Sequence, residues 1–439
     1  MVEPSPHDPA TAYIAVAGFK MNDFTPYIFK TNNYGVSWKK IVKGIPGDTF
    51  ARSVREDPDR KGLLYAGTET GVFVSFNDGG FWLPLQNNLP EVPITDLRVQ
   101  RKDLVVATQG RALWILDDLT PLHQISDEVS QADYHLFKPR DVNTELSVAY
   151  SADGGYGKNA PKGVQIHYLL NKEVPEDTPM SIEIIDENGA VVHSEFTTIE
   201  RKACAALPKP QLNKKIGTHR YQWNMKIGLF DCLKAFATTN RDLSAYNAAP
   251  GTYIVRFKVD GFEHTQNFEI KIDPRIANSI NNAPAEYKER DKISKSIYAG
   301  ATEMAKGVRD LRKIKQQLDL ILDLTNDEQI QKQGLALNQT IDNWIANILQ
   351  KEMRTFQSNY MFEARLLIKF KDFLNRIGKG NLPVTQGTKE VTKDYLQQWR
   401  TLKSSLQSIQ NDDVLEFNKL LKAAELPALY WPKLLKSKP

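Results

Sequence analysis

Thr31-Asn-Asn-Tyr-Gly35-Val-Ser-Trp38 and Ser75-Phe-Asn-Asp-Gly79-Gly-Phe-Trp82 are the two stretches whose reading decides the fold. Each runs from a hydroxyl residue to Asn two positions on, Gly four on and Trp seven on. Thr31, Asn33, Gly35 and Trp38 therefore match Ser75, Asn77, Gly79 and Trp82. A Ser or Thr followed by Asn and Gly folds back on its own backbone: the side-chain oxygens accept from nearby amides, and glycine takes a positive φ at little cost. The tryptophan is then expected to cover the turn and pack between neighbouring sheets. The two tryptophans are 44 positions apart, inside the roughly 40–50-residue period of a β-propeller blade. Tyr27-Ile-Phe-Lys30 precedes the first copy, and Leu64-Tyr-Ala-Gly67 and Gly71-Val-Phe-Val74 precede the second, all rich in strand-forming residues. A weaker third copy runs through Leu104-Val-Val-Ala-Thr108 and Gly110-Arg-Ala-Leu-Trp-Ile-Leu-Asp117-Asp118. Residues 1–124 thus hold fewer than three full blades at this spacing. Propellers close with roughly four to eight, and an open one leaves sheet faces and edges exposed. The missing blades are expected from an upstream segment or another polypeptide.

Composition sets the outer limits. At 439 residues the chain exceeds one ordinary core, and its 41% apolar and 25% charged content is that of a globular protein. The net charge of +4 is uneven: from Pro284 onward 26 Lys+Arg face 19 Asp+Glu. A basic tail of this size is the ordinary solvated exterior of helices, and it can also favour an acidic partner or a membrane surface. No apolar run approaches the roughly 18 residues that span a bilayer. The opening Met1-Val-Glu-Pro-Ser-Pro-His-Asp-Pro9 has neither the basic nor the apolar stretch of a signal peptide, as expected of a cytoplasmic chain or of a piece of a longer exported one. Cys204 and Cys232 are compatible with one disulfide or with two free thiols, and without histidines at ligand spacing they make no zinc site.

Beyond the repeats, residues 125–144 are expected to be a linker and 145–275 a β-sandwich. Ser181-Ile-Glu-Ile-Ile185 alternates, Glu187-Asn188-Gly189 turns, and Ala190-Val-Val-His-Ser-Glu-Phe196 returns, a hairpin pattern. Gly251-Thr-Tyr-Ile-Val-Arg-Phe-Lys-Val259 directs Tyr253, Val255, Phe257 and Val259 to one face; Asp260-Gly261 turns it into Asn267-Phe-Glu-Ile-Lys-Ile272. His219-Arg-Tyr-Gln-Trp-Asn-Met225 adds a strand. Residues 276–439 are expected to be an antiparallel helical bundle. Ile293, Ile297, Met304, Val308, Leu311, Leu318 and Ile321 form one helical stripe, and Leu337, Ile341, Trp344, Ile345 and Ile348 a second. Leu366 to Ile377, with a stop at Gly378, give a third, and Val391, Tyr395, Trp399, Leu402, Leu406 and Ile409 a fourth. Thr325-Asn-Asp-Glu328 reads as a capping box, and Asp412 or Asp413 as the start of a short last helix.

The two box stretches resemble the Asp-box, or BNR repeat, with Asn33 and Asn77 where Asp is usual. More broadly, Ser5-Pro-His-Asp-Pro9, Val54-Arg-Glu-Asp-Pro58, Gly62-Leu-Leu-Tyr-Ala-Gly-Thr-Glu-Thr-Gly-Val72, Gly110-Arg-Ala-Leu-Trp-Ile-Leu-Asp-Asp118 and Leu382-Pro-Val-Thr-Gln386 resemble the C-terminal part of bacterial sortilin-like, glycosidase-type propeller proteins. In that family the 110–118 stretch closes the propeller, and Gln109 stands where His is common. The resemblance implies export, a longer N-terminal part, a fibronectin-type-III-like module (Ala249-Pro-Gly-Thr-Tyr253 resembles its penultimate strand entry) and a helical tail. The expected fold class is therefore multidomain β plus α: a partial Asp-box propeller, a fibronectin-III-like sandwich and a helical bundle.

Chemistry-bearing patterns are sparse. The sequence has no His-Glu-x-x-His, Gly-x-Ser-x-Gly or Gly-x-x-x-x-Gly-Lys-Ser/Thr. Gly154-Gly-Tyr-Gly157-Lys158 lacks the spacing of a phosphate loop, and Asn77-Asp78-Gly79 lacks the terminal Glu of a calcium loop. No two of the seven histidines share ligand spacing. Asp117 and Asp118 are adjacent, and neighbours on a strand point to opposite faces, so they read as a polar strand end. Glycoside hydrolysis needs two carboxylates flanking one bond. The leading expectation is a non-catalytic binding or scaffold segment of an exported propeller protein, with no metal and no cofactor. Its partners are expected to be the segment supplying further blades and a protein or carbohydrate ligand, not nucleic acid or a membrane. Two alternatives stay open: part of a glycoside hydrolase whose catalytic carboxylates lie on other blades, or a docking subunit of a cell-envelope complex.

Overall fold

Three antiparallel sheets follow one another from Val2 to Leu116. The first orders β1 (Val2–Pro4), β2 (Ala12–Val16), β3 (Tyr27–Thr31) and β4 (Lys39–Lys40) side by side. The second does the same with β5 (Ala51–Glu56), β6 (Leu64–Thr68), β7 (Val72–Ser75) and β8 (Leu83–Pro84). The third has only β9 (Ile94–Gln100), β10 (Asp103–Thr108) and β11 (Leu113–Leu116). This is a computed structural model, and it describes residues 1–144, 157, 160–197, 212–229, 244–278, 283–350, 362–377 and 382–431. Cys204 and Cys232 lie outside the described residues, as does most of the Gly154–Lys158 stretch.

Strand alternation stacks the sheets face to face. Tyr13, Ala15 and Ile28 of the first sheet pack with Val54, Leu64, Ala66 and Phe73 of the second. The opposite face of the second sheet, through Tyr65, Val72 and Val74, packs with Ile94, Leu97, Leu104 and Val106 of the third. The middle sheet is covered on both sides, which is why β6 and β7 are buried at every position and read as unbroken runs instead of alternating ones. Among the described residues the sheets do not close into a ring.

By residue contacts the chain divides into two units, Met1–Arg140 with Gly157–Thr178 and Asn213–Gln222 in one, and the rest in the other. In the first unit, α1 (Thr120–Gln124) and α2 (Asp127–Gln131) follow the third sheet. Then β12 (Tyr134–Leu136) joins a small sheet, so the stretch read as a linker carries regular structure. In the second unit, β13 (Val142–Asn143) pairs in parallel at the edge of a five-stranded sheet. β14 (Val164–Leu170) lies between β12 and β17 (Gly217–Trp223) in the small sheet. The five-stranded sheet continues with β15 (Met180–Ile185), β16 (Val191–Phe196), β20 (Gly251–Val259) and β21 (Phe262–Lys271), while β18 (Lys226–Leu229) pairs with β19 (Ser244–Asn247). The residue 145–275 stretch thus contributes to both units. Its hairpins form where the turn residues require: Gly189 has φ 79°, and Asp260 and Gly261 have φ 47° and 77°. Tyr253, Val255, Phe257 and Val259 are all buried, and Trp223 packs edge-on against Tyr253 and Phe268.

The C-terminal region is helical: α3 (Pro274–Ala277), α4 (Ala283–Leu324), α5 (Glu328–Ile348), α6 (Leu366–Ile377), α7 (Gln386–Ser408) and α8 (Val414–Ala423). The stripe of α4 from Ile293 to Leu318 is buried, and so is that of α5. Three details differ from the sequence reading. Asp327, not Thr325, caps α5, accepting from the Ile330 amide, because its oxygen reaches that amide directly. A π-turn over Ile409–Asp413 carries α7 into α8 without a break. Val391, read as part of a buried stripe, is exposed. No described helix is long and apolar enough to cross a membrane.

Candidate functional site

The two box turns have the same hydrogen bonds. In the first, Thr31 Oγ1 accepts from Gly35 N at 3.0 Å and Asn33 Oδ1 from Ser37 N at 3.0 Å. In the second, Ser75 Oγ accepts from Gly79 N at 3.0 Å and Asn77 Oδ1 from Phe81 N at 2.9 Å. The hydroxyl of each turn also donates to its Asn Oδ1, so one amide oxygen does what a carboxylate oxygen would do. Gly35 and Gly79 have φ 85° and 82°. At Gly79 a Cβ would stand 2.4 Å from Ile41 Cδ1, so that turn needs glycine for space as well as for its backbone angle.

Where the turns differ is their tryptophans. Trp82 is buried in the core between the first and second sheets, and its indole N–H donates to Ile41 O at 2.8 Å. Trp38, the matching residue of the first sheet, is 40% exposed and makes no hydrogen bond among the described residues. The outer face of the first sheet, opposite Tyr13 and Ala15, continues this uncovered area. The register aligns Val2 with Ile14, Ile14 with Phe29, and Val16 with Tyr27, and Val2 and Val16 are 63% and 43% exposed. The far face of the third sheet is similar: Val105 pairs with Ile115 and Ala107 with Leu113, and Leu113 and Ile115 are 70% and 58% exposed. Apolar sheet residues are thus exposed at both ends of the stack.

Polar groups tie the stack together internally. Arg55 on β5 donates to Glu3 Oε2 on β1 at 2.5 Å, and to Leu97 O at 2.6 Å and Asp96 Oδ1 at 3.0 Å on β9, so one guanidinium joins all three sheets. Asp57, fully buried after β5, accepts from the Asp59 and Arg60 amides on one oxygen, and from Tyr65 OH and His123 Nε2, each at 2.9 Å, on the other. Burial works to raise the Asp57 pKa, but the bonds from His123, the Asp59 amide and Tyr65 outweigh it and hold the carboxyl below its usual range. Burial and the adjacent carboxylate push the Tyr65 hydroxyl the other way, upward. Asp57, Asp59 and His123 bring their ligand atoms within 4.8 Å of one another, close enough for one ion to touch all three. Both Asp57 oxygens are already occupied by these donors, which makes the cluster a structural knot.

Asp117 and Asp118 lie past the end of β11, which stops at Leu116, so strand alternation does not govern them. Asp118 takes φ 64°, and its Oδ1 accepts from Thr120 N and Oγ1 at the entry to α1. Its Oδ2 is buried without a hydrogen bond, 3.8 Å from His167 Nδ1. Burial lowers the His167 pKa, with Asp118 opposing and Arg220 assisting. Burial and Asp103 raise that of Asp117, against Arg220 and Arg140. Asp103 in turn accepts from Arg140 and the Asp118 amide, so the group ties the third sheet's exit loop into the first unit. Sequence reading singled out Asp117 and Asp118 but missed Asp103, Arg140, His167 and Arg220. Their positions, scattered from 103 to 220, carry no local signal. Arg55 and Asp57 lie in the Val54–Pro58 stretch, which carries no local sign of their distant partners.

No family model matches the chain, and no curated protein matches it. Among solved structures it is similar to the extracellular domain of a hybrid two-component system from B. thetaiotaomicron, with 11% identity over 60% of this chain and 30% of that one and a TM-score of 0.19. It is also similar to an ancestral GH74 enzyme, with 13% identity over 44% of this chain and 26% of that one and a TM-score of 0.18. The chain spans less than a third of either protein. At such scores neither likeness bears on fold or activity.

Proposed function

We propose that this chain is a non-catalytic binding or scaffold segment of an exported propeller protein of the Asp-box kind, and that its three stacked sheets are consecutive blades of a longer ring. The observation that carries the reading is the pair of uncovered end faces, together with Trp38. The same tryptophan position is buried and hydrogen-bonded in the second turn, where a preceding sheet covers it, and open in the first, where none does. The Arg55 and Asp57 clusters support a scaffold role, because their bonds close within the stack and its exit loop. The test is covalent footprinting of tryptophan and aliphatic side chains, comparing this chain alone with the protein isolated from its source. Strong labelling of Trp38, Val2, Leu113 and Ile115 in the chain alone and protection in the native protein are expected. Equal labelling in both would overturn the reading.

A further inference from the structure

Ladder register sets matching positions side by side in the three sheets. Tyr13 pairs with Glu3, Tyr65 with Arg55 and Val105 with Arg98, each being the central-strand residue opposite the edge-strand residue that faces the following sheet. Ile14 with Val2, Ala66 with Val54 and Val106 with Leu97 form the set facing the preceding sheet. Edge position Glu3 meets Arg55 of the next sheet, and Arg55 meets Asp96 and Leu97 O of the one after. A charge pair therefore bridges the inner strands at both existing interfaces. Arg98 occupies the same position on the third sheet, is exposed, and has no ion pair among the described residues. Around it lie Val105, Leu113 and Ile115, at the places that Tyr65, Val72 and Val74 hold in the second sheet's packed face.

Building on the proposed function, we propose that the open face of the third sheet receives a further antiparallel sheet whose innermost strand presents a carboxylate to Arg98. The occupant follows from continuity with the two existing interfaces and from charge. A second copy of this chain fits less well. The carboxylate that its first sheet has at the matching position, Glu3, is already closed on Arg55 of the same copy.

The experiment places a photo-crosslinking residue at Ile115 in the protein expressed in its source, maps the crosslinked peptides, and repeats the mapping with Arg98→Glu. The expected result is a crosslink to a strand carrying Asp or Glu. Its yield should fall about tenfold or more in Arg98→Glu, since a charge pair closed inside an interface is worth more than an exposed one. Yield should return when that carboxylate is changed to Arg. A crosslink to a strand without a carboxylate, with yield indifferent to Arg98→Glu, overturns this inference and leaves the continued stack standing. A crosslink to the first sheet of a second copy also overturns it. A protein that stays monomeric and gives no crosslink at Ile115 overturns both.

Discussion

Removing each of the two matched tryptophans measures how much of the stack is covered. An indole buries about 150–250 Å², which at about 25 cal/mol per Å² is an upper bound of roughly 4–6 kcal/mol. Trp82 is 1% exposed and its N–H is bonded, so Trp82→Ala should cost about 4 kcal/mol, the sum of lost burial, a cavity and a hydrogen bond. Trp38 is 40% exposed and lacks that bond, so Trp38→Ala in this chain should cost roughly 2 kcal/mol or less. Native-state hydrogen exchange at the β6 amides reports the stack without contribution from the helices. A gap of about 2 kcal/mol appears there as a difference of about 30-fold in protection. In the complete native protein the two substitutions should cost nearly the same. Equal costs in the chain alone would refute the claim that Trp38 lacks its covering sheet.

Arg55→Ala should destabilise the stack by about 2–3 kcal/mol, because it leaves the largely buried Glu3 without its cation and Leu97 O without its donor, the exposed Asp96 adding little; denaturant midpoints measure it. Arg55→Lys should recover only part of this, since one ammonium cannot reproduce the fork that reaches Glu3, Asp96 and Leu97 O together. Asp57→Asn should cost about 2–3 kcal/mol and remove an acid-dependent loss of stability. The native Asp57 pKa is lowered, so its contribution is full above the ordinary carboxyl range and disappears as pH falls through the folded value. Burial pushes His193 down to about 4. The unfolded chain then binds the extra proton first, and stability should fall by up to about 3 kcal/mol between pH 6.5 and 4. His193→Gln should flatten that slope in urea melts at stepped pH.

How far the sequence reached depended on the range of the interactions. The box turns were legible because Thr31, Asn33 and Gly35, or Ser75, Asn77 and Gly79, bond within four positions of one another. The helical stripes were legible for the same reason: α5 buries the residues its 3.6-residue period marks out. What a side chain meets across sheets was not legible. Arg55 finds partners 52 and 41 positions away, and His123 finds Asp57 at 66. The Asp117–Asp118 reading assumed a strand that stops one residue too early, and the positive φ of Asp118 then turned its carboxylate onto Thr120. The capping-box reading failed because both Thr325 and Asp327 suit an N-cap, and only the backbone path decides between them. Val391 shows the remaining difficulty: an apolar residue at the right period can still face solvent.

Electron cryomicroscopy of the protein isolated from its source, with the mass of the same particles, tests the central claim most directly. The account predicts a ring in which the sheets formed by Val2–Leu116 are consecutive blades flanked on both faces by others, in a particle heavier than 49.8 kDa. A 49.8 kDa particle with three stacked sheets and both end faces open to solvent would contradict it.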